Sequence, residues 1–309
     1  MGLREAEVIS VLQKIFTSTD PRIQVGIGDD AAVIATSPRS AVTSDMAVEG
    51  VHFNREWSSA FDIGRKITAA NVADILAMGG RCEYLVAAVS LTGSEEMSWI
   101  ENLARGMQHE ATLAGAYIVG GDITRGAQIV ISMTAVGSVD KPITRSGAHV
   151  GDAIYLSSLP GWSAAGLELL TREISVNSAA ADMALSQFSA PTLDYATNFF
   201  AATAMVDLSD SLMVQGEQLA SASGVALMLD PALFMQSPEF EALGNLATEI
   251  SADVWQWILG GGEDHVLLAT GHDLPGLRIG VVVADSGLPG SKILGVEMKK
   301  TPVSWSHFQ

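Results

Sequence analysis

The carboxylates in this sequence best placed to do chemistry sit at the ends of apolar segments, beside glycines or hydroxyl residues, and are not scattered over polar faces. Six corners of this type recur: Gly26-Ile27-Gly28-Asp29-Asp30, Thr43-Ser44-Asp45, Asp74 with Asn71 on a helical stripe, Gly120-Gly121-Asp122-Ile123-Thr124-Arg125-Gly126, Val206-Asp207-Leu208-Ser209-Asp210, and Gly260-Gly261-Gly262-Glu263-Asp264-His265. Carboxylate and hydroxyl oxygens are the hard donors that Mg²⁺ prefers, and glycine lets backbone N–H groups approach an anion closely. Each corner also has an ordinary reading: an exposed Asx turn at 28–30, a cap or turn at 43–45, a tight turn at 120–121. Six together in one chain favour a common site for a polyvalent cation, one that binds phosphate oxygens through metal and not through lysines.

Asp74 shows the argument most clearly. Ile63, Ile67, Ala70, Asn71, Asp74, Ala77 and Met78 share one stripe at 3-4 spacing, so two polar residues interrupt an apolar face. An ionised Asp there needs a metal, a base or a strong hydrogen-bond network. With only 17 Lys plus Arg in the chain, a metal or a cleft is favoured over a satisfied core Asp. Asp207 and Asp210 stand three residues apart around an expected helix start, more than capping alone explains. The glycine triplet at 260–262 predicts a loop pressed against another segment. The GxGxxA spacing from Gly26 to Ala31 formally matches a relaxed dinucleotide fingerprint, but two adjacent acids would face the pyrophosphate and no strand clearly precedes it, so that reading is rejected. No Walker GxxxxGK[ST], HExxH, GxSxG or kinase glycine loop occurs, which leaves phosphoryl transfer or phosphate-ester chemistry.

The elements that must position these corners alternate between two apolar periods, which predicts a mixed α/β (α+β) chain. Strands are expected at 41–45, 84–91, 117–119 ahead of a Gly-Gly turn, 128–137, 153–157, 225–229 and 266–269. Helices are expected at 3–16, 61–78, 95–114, 162–171, 210–223 and 252–259. Ser94 is the expected N-cap of 95–114, with Met97 where a capping-box Glu would stand, and Gly115 and Gly224 are expected C-caps. Gly216 costs the 210–223 helix about 1 kcal/mol relative to Ala. The 309 residues suit about two domains of roughly 150 residues, with a boundary near 138–150 that separates 1–140 from 141–309. The formal charge, 17 − 35 = −18, repels a nucleic-acid backbone and requires any anionic ligand to arrive with cations. The single cysteine, Cys82, excludes an intramolecular disulfide framework and reads as a buried small hydrophobe. The first ten residues lack the apolar region of a signal peptide, and no stretch approaches about 18 apolar residues, so a cytoplasmic protein without membrane contact is expected.

The sequence resembles the thiamine-monophosphate kinase family of the aminoimidazole-ribonucleotide-synthetase-like superfamily. The resemblance covers nearly the whole chain and rests on GIGDDAAV at 26–33, TSDMAVEGVHF at 43–53, NVADILAMGG at 71–80, VGGDITRG at 119–126, TRSGAHVGD at 144–152, SAAGLELL at 163–170, DLSDSL at 207–212 and GGGEDH at 260–265. It implies a two-domain synthetase-like fold. The N-terminal α/β domain binds ATP and metal and pairs with its twin into an intersubunit barrel; the C-terminal α/β domain binds substrate and phosphate. It further implies a homodimer, ATP as co-substrate and Mg²⁺ as cofactor. By motif position the magnesium ligands fall on Asp30, Ser44, Asp45, Asp74, Asp122, Asp207 and Asp210. ATP contacts fall on Gly121, Asp122, Arg145 and Ser209, and thiamine-phosphate contacts on His52, Glu263 and Trp305, with Arg145, Asp207 and Asp210 at the transferring group.

The implied reaction is direct in-line transfer of the ATP γ-phosphoryl group to the phosphate of thiamine monophosphate, giving thiamine diphosphate and ADP. The acceptor is already an oxyanion near neutral pH, so no general base is nominated and positioning carries most of the catalysis. Metal-held aspartates and Arg145 would neutralise the meeting anions, while Glu263 would attract the cationic thiazolium and Trp305 stack on a ring. The chain departs from the common pattern at Ser44 for Thr, Met46 for a hydroxyl residue, Ser211 for Gly, Gln215 for a further Asp and His265 for Tyr. Two rivals follow. One is another ATP-dependent enzyme of the superfamily, of the purine synthetase or selenophosphate synthetase type, for which Cys82 is the only thiol available. The other is a non-catalytic divalent-cation-binding module, which Met46, Ser211 and Gln215 keep open.

Overall fold

The computed structural model describes residues 5–25, 33–36, 38–287 and 292–296. Asp30 and Trp305 therefore lie outside the described residues, with the whole of the first glycine-acid corner. The chain divides into two compact units, Met1–Leu76 with Gly80–Lys141, and Ala77–Gly79 with Pro142–Gln309. Both mix helices and strands, an α+β architecture with one main sheet in each unit. No helix among the described residues is long and apolar enough to cross a membrane.

The first unit opens with α1 (Glu5–Ile15) and a two-stranded antiparallel ribbon, β1 (Ile23–Val25) with β2 (Val33–Ile34). Its main sheet contains β3 (Ser40–Val48), β4 (Arg81–Leu91), β5 (Tyr117–Arg125) and β6 (Val130–Ser138) in the order β3-β6-β4-β5. Two helices return the chain to this sheet, α2 (Ala60–Ala77) after β3 and α3 (Met97–Ala114) after β4. The β4–α3–β5 passage makes the sheet's one parallel pairing, as a crossover must. Alternation along β6 buries Ile131, Met133 and Ala135 and leaves their neighbours half-exposed, so one face of the sheet is covered.

The second unit contains β7 (Ala153–Leu156), α4 (Trp162–Thr171), α5 (Ala179–Ser189), β8 (Ala204–Leu208), α6 (Leu212–Ser223), β9 (Val225–Leu229), the single turn α7 (Pro231–Phe234), α8 (Pro238–Glu249), α9 (Val254–Gly260), β10 (Val266–Gly271), β11 (Leu277–Ala284) and β12 (Ile293–Leu294). Its six strands lie in the order β12-β9-β11-β7-β10-β8, antiparallel except for β12–β9. Strands β7, β8 and β10 are buried along their whole length, and residues such as Ile154, Leu208 and Leu268 join Leu169, Leu219 and Ile258 from the helices in one core.

Several expectations need correction. The Gly-Gly turn after 117–119 does not exist, because β5 runs through Gly120 and Gly121 to Arg125 in register with β4. Gly121 is required there by close approach: a Cβ would run into the Ala87 carbonyl oxygen. Ser94 does not cap α3. The cap is Glu96, without a side-chain bond, because Glu95 turns back to accept from the Thr92 hydroxyl at 2.6 Å and the Gly93 N–H at 2.9 Å, closing a separate turn first. A strand does precede Gly26, but β1 pairs antiparallel with β2 immediately afterwards, so the βαβ setting of a dinucleotide fold is absent and its rejection stands on topology. Helix α6 begins at Leu212 and not at 210, and α9 begins at Val254 behind the N-cap Asp253. Helix α2 is buried beyond the expected stripe, with Lys66, Thr68, Ala69, Val72 and Ala73 also shielded. The Arg65–Glu110 ion pair at 2.9 Å, with Glu110 fully buried, ties its other side to α3.

Candidate active site

In the first unit, the acid-bearing corner is the seam between β3 and α2. Side chains alternate along a strand, so Thr43 and Asp45 face the helix while Ser44 points to the opposite, open face. The Thr43 hydroxyl donates to Asp74 Oδ2 at 2.5 Å. The Asp45 N–H donates to Asn71 Oδ1 at 3.1 Å, and Asn71 Nδ2 donates back along the helix to the Ile67 carbonyl at 2.9 Å. Asn71 is thus a clamp between strand and helix, fully buried and hydrogen-bonded on both sides of its amide. Asp45 and Asp74 are brought to one seam, half-buried. Ser44 bonds to Thr134 Oγ1 and the Met133 carbonyl instead. Asp122, exposed on β5, stands three strand spacings from β3, about 14 Å.

Gly121 and Asp122 line a partly open apolar cavity of about 130 Å³ between α1, α3, β4 and β5, with Leu12, Phe16, Val89, Leu103 and Met107 among its walls. At the end of β3, His52 Nδ1 accepts from the Val48 N–H at 3.1 Å, which leaves Nε2 as the N–H donor of the neutral ring.

In the second unit, Asp207 is the fourth residue of β8, only 4% exposed, with its Oδ2 3.3 Å from His265 Nδ1. Neither Asp207 nor Asp210 caps α6: that is done by Ser211, whose hydroxyl accepts from the Val214 N–H. Asp210 instead accepts from Gln215 Nε2 at 2.9 Å through Oδ2, and Ser209 Oγ accepts from the same nitrogen at 3.0 Å. The 260–265 loop is pressed onto this corner, as the glycine triplet predicted. Glu263 N–H donates to the Ser209 carbonyl at 2.7 Å, His265 N–H donates to the Leu208 carbonyl at 3.2 Å, and a Cβ on Gly262 would run into the carbonyl oxygens of Ser209 and Asp210. Glu263 and His265 hold left-handed backbone, φ 65° and 51°. Such strain costs about 1–3 kcal/mol per residue and clusters at functional sites. Between them Asp264 accepts from the Gly161 and Ser163 N–H groups at 2.7 and 2.9 Å, anchoring the loop to the start of α4.

Arg145 lies at the opposite end of α6 from Asp210, while the carbonyl of its neighbour Thr144 accepts from the Met205 N–H at 3.0 Å, two residues before Asp207 on β8. The Arg145 carbonyl accepts from the hydroxyl of Ser223, the last residue of α6, whereas Asp210 precedes the first. The eleven rises from Leu212 to Ser223 put roughly 17 Å between these ends. Among the described residues no group of three or more His, Cys, Asp or Glu is assembled as a cation cage. The acids occur in pairs, Asp45 with Asp74 and Asp207 with Asp210. Sequence reasoning missed the roles of Thr43 and Asp264 and treated Gln215 only as a departure; its length and its place four residues after a serine cap were the available signal.

Residues 28–139 match the family described as AIR synthase related protein, N-terminal domain. The chain is 37% identical over 256 residues to thiamine-monophosphate kinase of Mycobacterium tuberculosis, covering 80% of this chain and 74% of that one. Among solved structures, thiamine-monophosphate kinase from Stenotrophomonas maltophilia superposes with a TM-score of 0.78 at 30% identity, covering 95% of this chain and 97% of that one. AaThiL complexed with AMPPCP and TMP gives 0.77 at 28%, covering 98% and 97%.

Proposed function

The chain belongs to the thiamine-monophosphate kinase family, and from that membership we infer that it catalyses the ATP-dependent phosphorylation of thiamine monophosphate to thiamine diphosphate. The observation that carries this reading is the match to AaThiL complexed with AMPPCP and TMP over nearly the full length of both chains. AMPPCP is an ATP analogue whose β,γ-methylene bridge resists transfer. The reaction forms a bond between a phosphate oxygen of the acceptor and the γ-phosphorus and breaks the β,γ-bridging P–O bond, with ADP leaving. Both reactants are anionic, so positioning and charge neutralisation dominate.

The donor set fits Mg²⁺. Asp45 and Asp74 in one unit and Asp207 and Asp210 in the other offer hard carboxylate oxygens from strands, a helix and a turn, with Asp122, Ser44 and Asp30 as further candidates. Bound there, Mg²⁺ would offset the charge of the transferring group. The chain's own residues do the rest. Thr43 orients Asp74, Gln215 orients Asp210, and Glu263, its backbone fixed by the Ser209 carbonyl, is the acid assigned to a cationic substrate. The cavity beside Gly121 and Asp122 suits a nucleotide base, with Ser209 as a further ATP contact. His52 Nε2–H suits a phosphate oxygen, and Trp305 is kept as a stacking candidate. Arg145, exposed at the far end of α6, is assigned to nucleotide binding and not to the phosphoryl group held by Asp210.

The first unit is assigned to ATP, metal and dimerisation, and the second to substrate. Its open sheet face exposes Val42 (66%) and Met46 (56%) in register with β6, which supports a homodimer closed through this face. The need for ATP supports a cytoplasmic setting. Purified protein incubated with ATP, thiamine monophosphate and Mg²⁺ should yield thiamine diphosphate and ADP in equal amounts, with no product after chelation. ADP formed only with another acceptor would favour a different synthetase of the superfamily, and no turnover would favour the binding module.

A further inference from the structure

We propose that Gln215 is a positioning residue for the Asp210 carboxylate: it fixes which oxygen of Asp210 is turned out of the corner, and thereby sets how tightly that corner holds a divalent cation. The proposal deepens the phosphotransfer reading and rests on it for the purpose the cation serves.

Gln215 is 2% exposed, one turn into α6, and an amide so placed must find partners for one acceptor and two donors. All three are found within the corner. Oε1 accepts from the Ser211 N–H at 2.7 Å, and Nε2 donates to Ser209 Oγ at 3.0 Å and to Asp210 Oδ2 at 2.9 Å. With Ser211 Oγ accepting from Val214 N–H, the first bond completes a reciprocal capping box whose returning side chain sits one residue later than usual.

Capping does not explain why the residue is an amide. A glutamate would accept the Ser211 N–H equally well, yet from its buried position it would place a second carboxylate oxygen against Asp210 Oδ2. The donors of Nε2 serve only Ser209 and Asp210. They occupy Oδ2 and leave Oδ1, which has no partner among the described residues, as the oxygen available outward. Residues that orient a metal-binding carboxylate in this way typically control affinity by about ten- to a hundredfold.

The test uses full-length, nucleotide-free protein titrated with Mn²⁺, with free Mn²⁺ read by electron paramagnetic resonance and thermal unfolding followed in parallel. Gln215→Met, similar in length and without hydrogen bonds, should bind Mn²⁺ about tenfold more weakly. Its turnover should be restored by excess Mg²⁺, with KM for thiamine monophosphate unchanged. Gln215→Glu keeps the cap but opposes two carboxylates across a gap that a cation relieves, so it should bind Mn²⁺ about tenfold more tightly. If Gln215→Met does not fold, Gln215→Glu alone carries the test. Unchanged Mn²⁺ affinity in the folded variants, whatever their thermal midpoints, overturns the proposal, as does wild-type protein that binds no Mn²⁺. Wild-type protein that makes no thiamine diphosphate, yet shows the opposed shifts in Mn²⁺ affinity, overturns the functional reading and leaves this one standing.

Discussion

The two acid corners solve the same problem with different materials. In the first unit, Asp45 and Asp74 ride on a nine-residue strand and an eighteen-residue helix; Asn71 holds the Asp45 backbone N–H and Thr43 donates to the Asp74 carboxylate. In the second, Asp207 and Asp210 sit where a strand gives way to a helix cap, and the backbone around them is held by a loop with two left-handed residues and an inserted amide. Regular elements set an angle between carboxylates cheaply. A turn can set it only if other segments crowd in, and the strain at Glu263 and His265 marks how far the 260–265 loop has been drawn toward Ser209. The second corner should therefore be both more demanding of its neighbours and less forgiving of change.

The largest expected effect tests whether the second corner carries the chemistry. Asp210→Asn and Asp207→Asn each remove a charge while keeping shape, and should lower kcat by about a thousandfold or more, the scale at which loss of transition-state charge stabilisation acts. The thermal midpoint should move little, because neither residue caps α6. Full activity in a folded double variant would break the comparison outright. Gly262→Ala comes next. Its methyl collides with the Ser209 and Asp210 carbonyls, and an overpacked contact costs about 1–3 kcal/mol. Calorimetry should show a lowered midpoint, and kcat/KM should fall about a hundredfold through displacement of Asp210. A variant that loses stability yet keeps kcat/KM would show that the loop supports the fold alone.

These differences also explain what could be read from residues alone. The stripe on 61–78 pointed to α2 and to Asp74 because periodicity reports a helix face directly. It could not show that Asn71 would be consumed by the Asp45 N–H, since that bond joins residues 26 apart in sequence. Gly115 and Gly224 end α3 and α6 in left-handed backbone as their type suggests. The same reasoning misjudged Gly120-Gly121, where the glycine answers a carbonyl on β4 and no turn exists. Helices α5, α7 and α8 and strands β1, β2, β8, β11 and β12 escaped notice. In α5 the buried set is two alanines and one phenylalanine, too small a contrast to mark a face. Arg145 was grouped with Asp207 and Asp210 by motif order, and the length of α6 separates its backbone from Asp210.

A smaller effect sharpens the comparison from the first unit. Thr43→Val preserves shape and burial but removes the donor to Asp74 Oδ2. The Mg²⁺ concentration for half-maximal turnover should rise about tenfold, the lower end for loss of an orienting partner, with kcat at saturating Mg²⁺ nearly unchanged. If kcat fell as far as in Asp210→Asn, the first corner would be as unforgiving as the second and the contrast would be lost.

The smallest effect belongs to Cys82, and it bears on which reaction the two corners serve. A synthetase that works through a sulfur or selenium nucleophile needs a thiolate that is exposed and low in pKa. Cys82 is the second residue of β4, buried, and burial pushes its thiol up to about 12. Near neutral pH it is protonated and shielded, a small hydrophobe at the start of a strand that β6 separates from β3. Native protein at pH 8 should therefore resist labelling by a maleimide, label stoichiometrically once denatured, and lose less than about twofold in kcat as Cys82→Ala, with stability reduced by the loss of one small buried group. Rapid labelling that abolishes turnover would place a reactive thiol in the first unit, and the contrast would then be between a nucleophilic unit and a metal-holding one, not between two ways of orienting carboxylates.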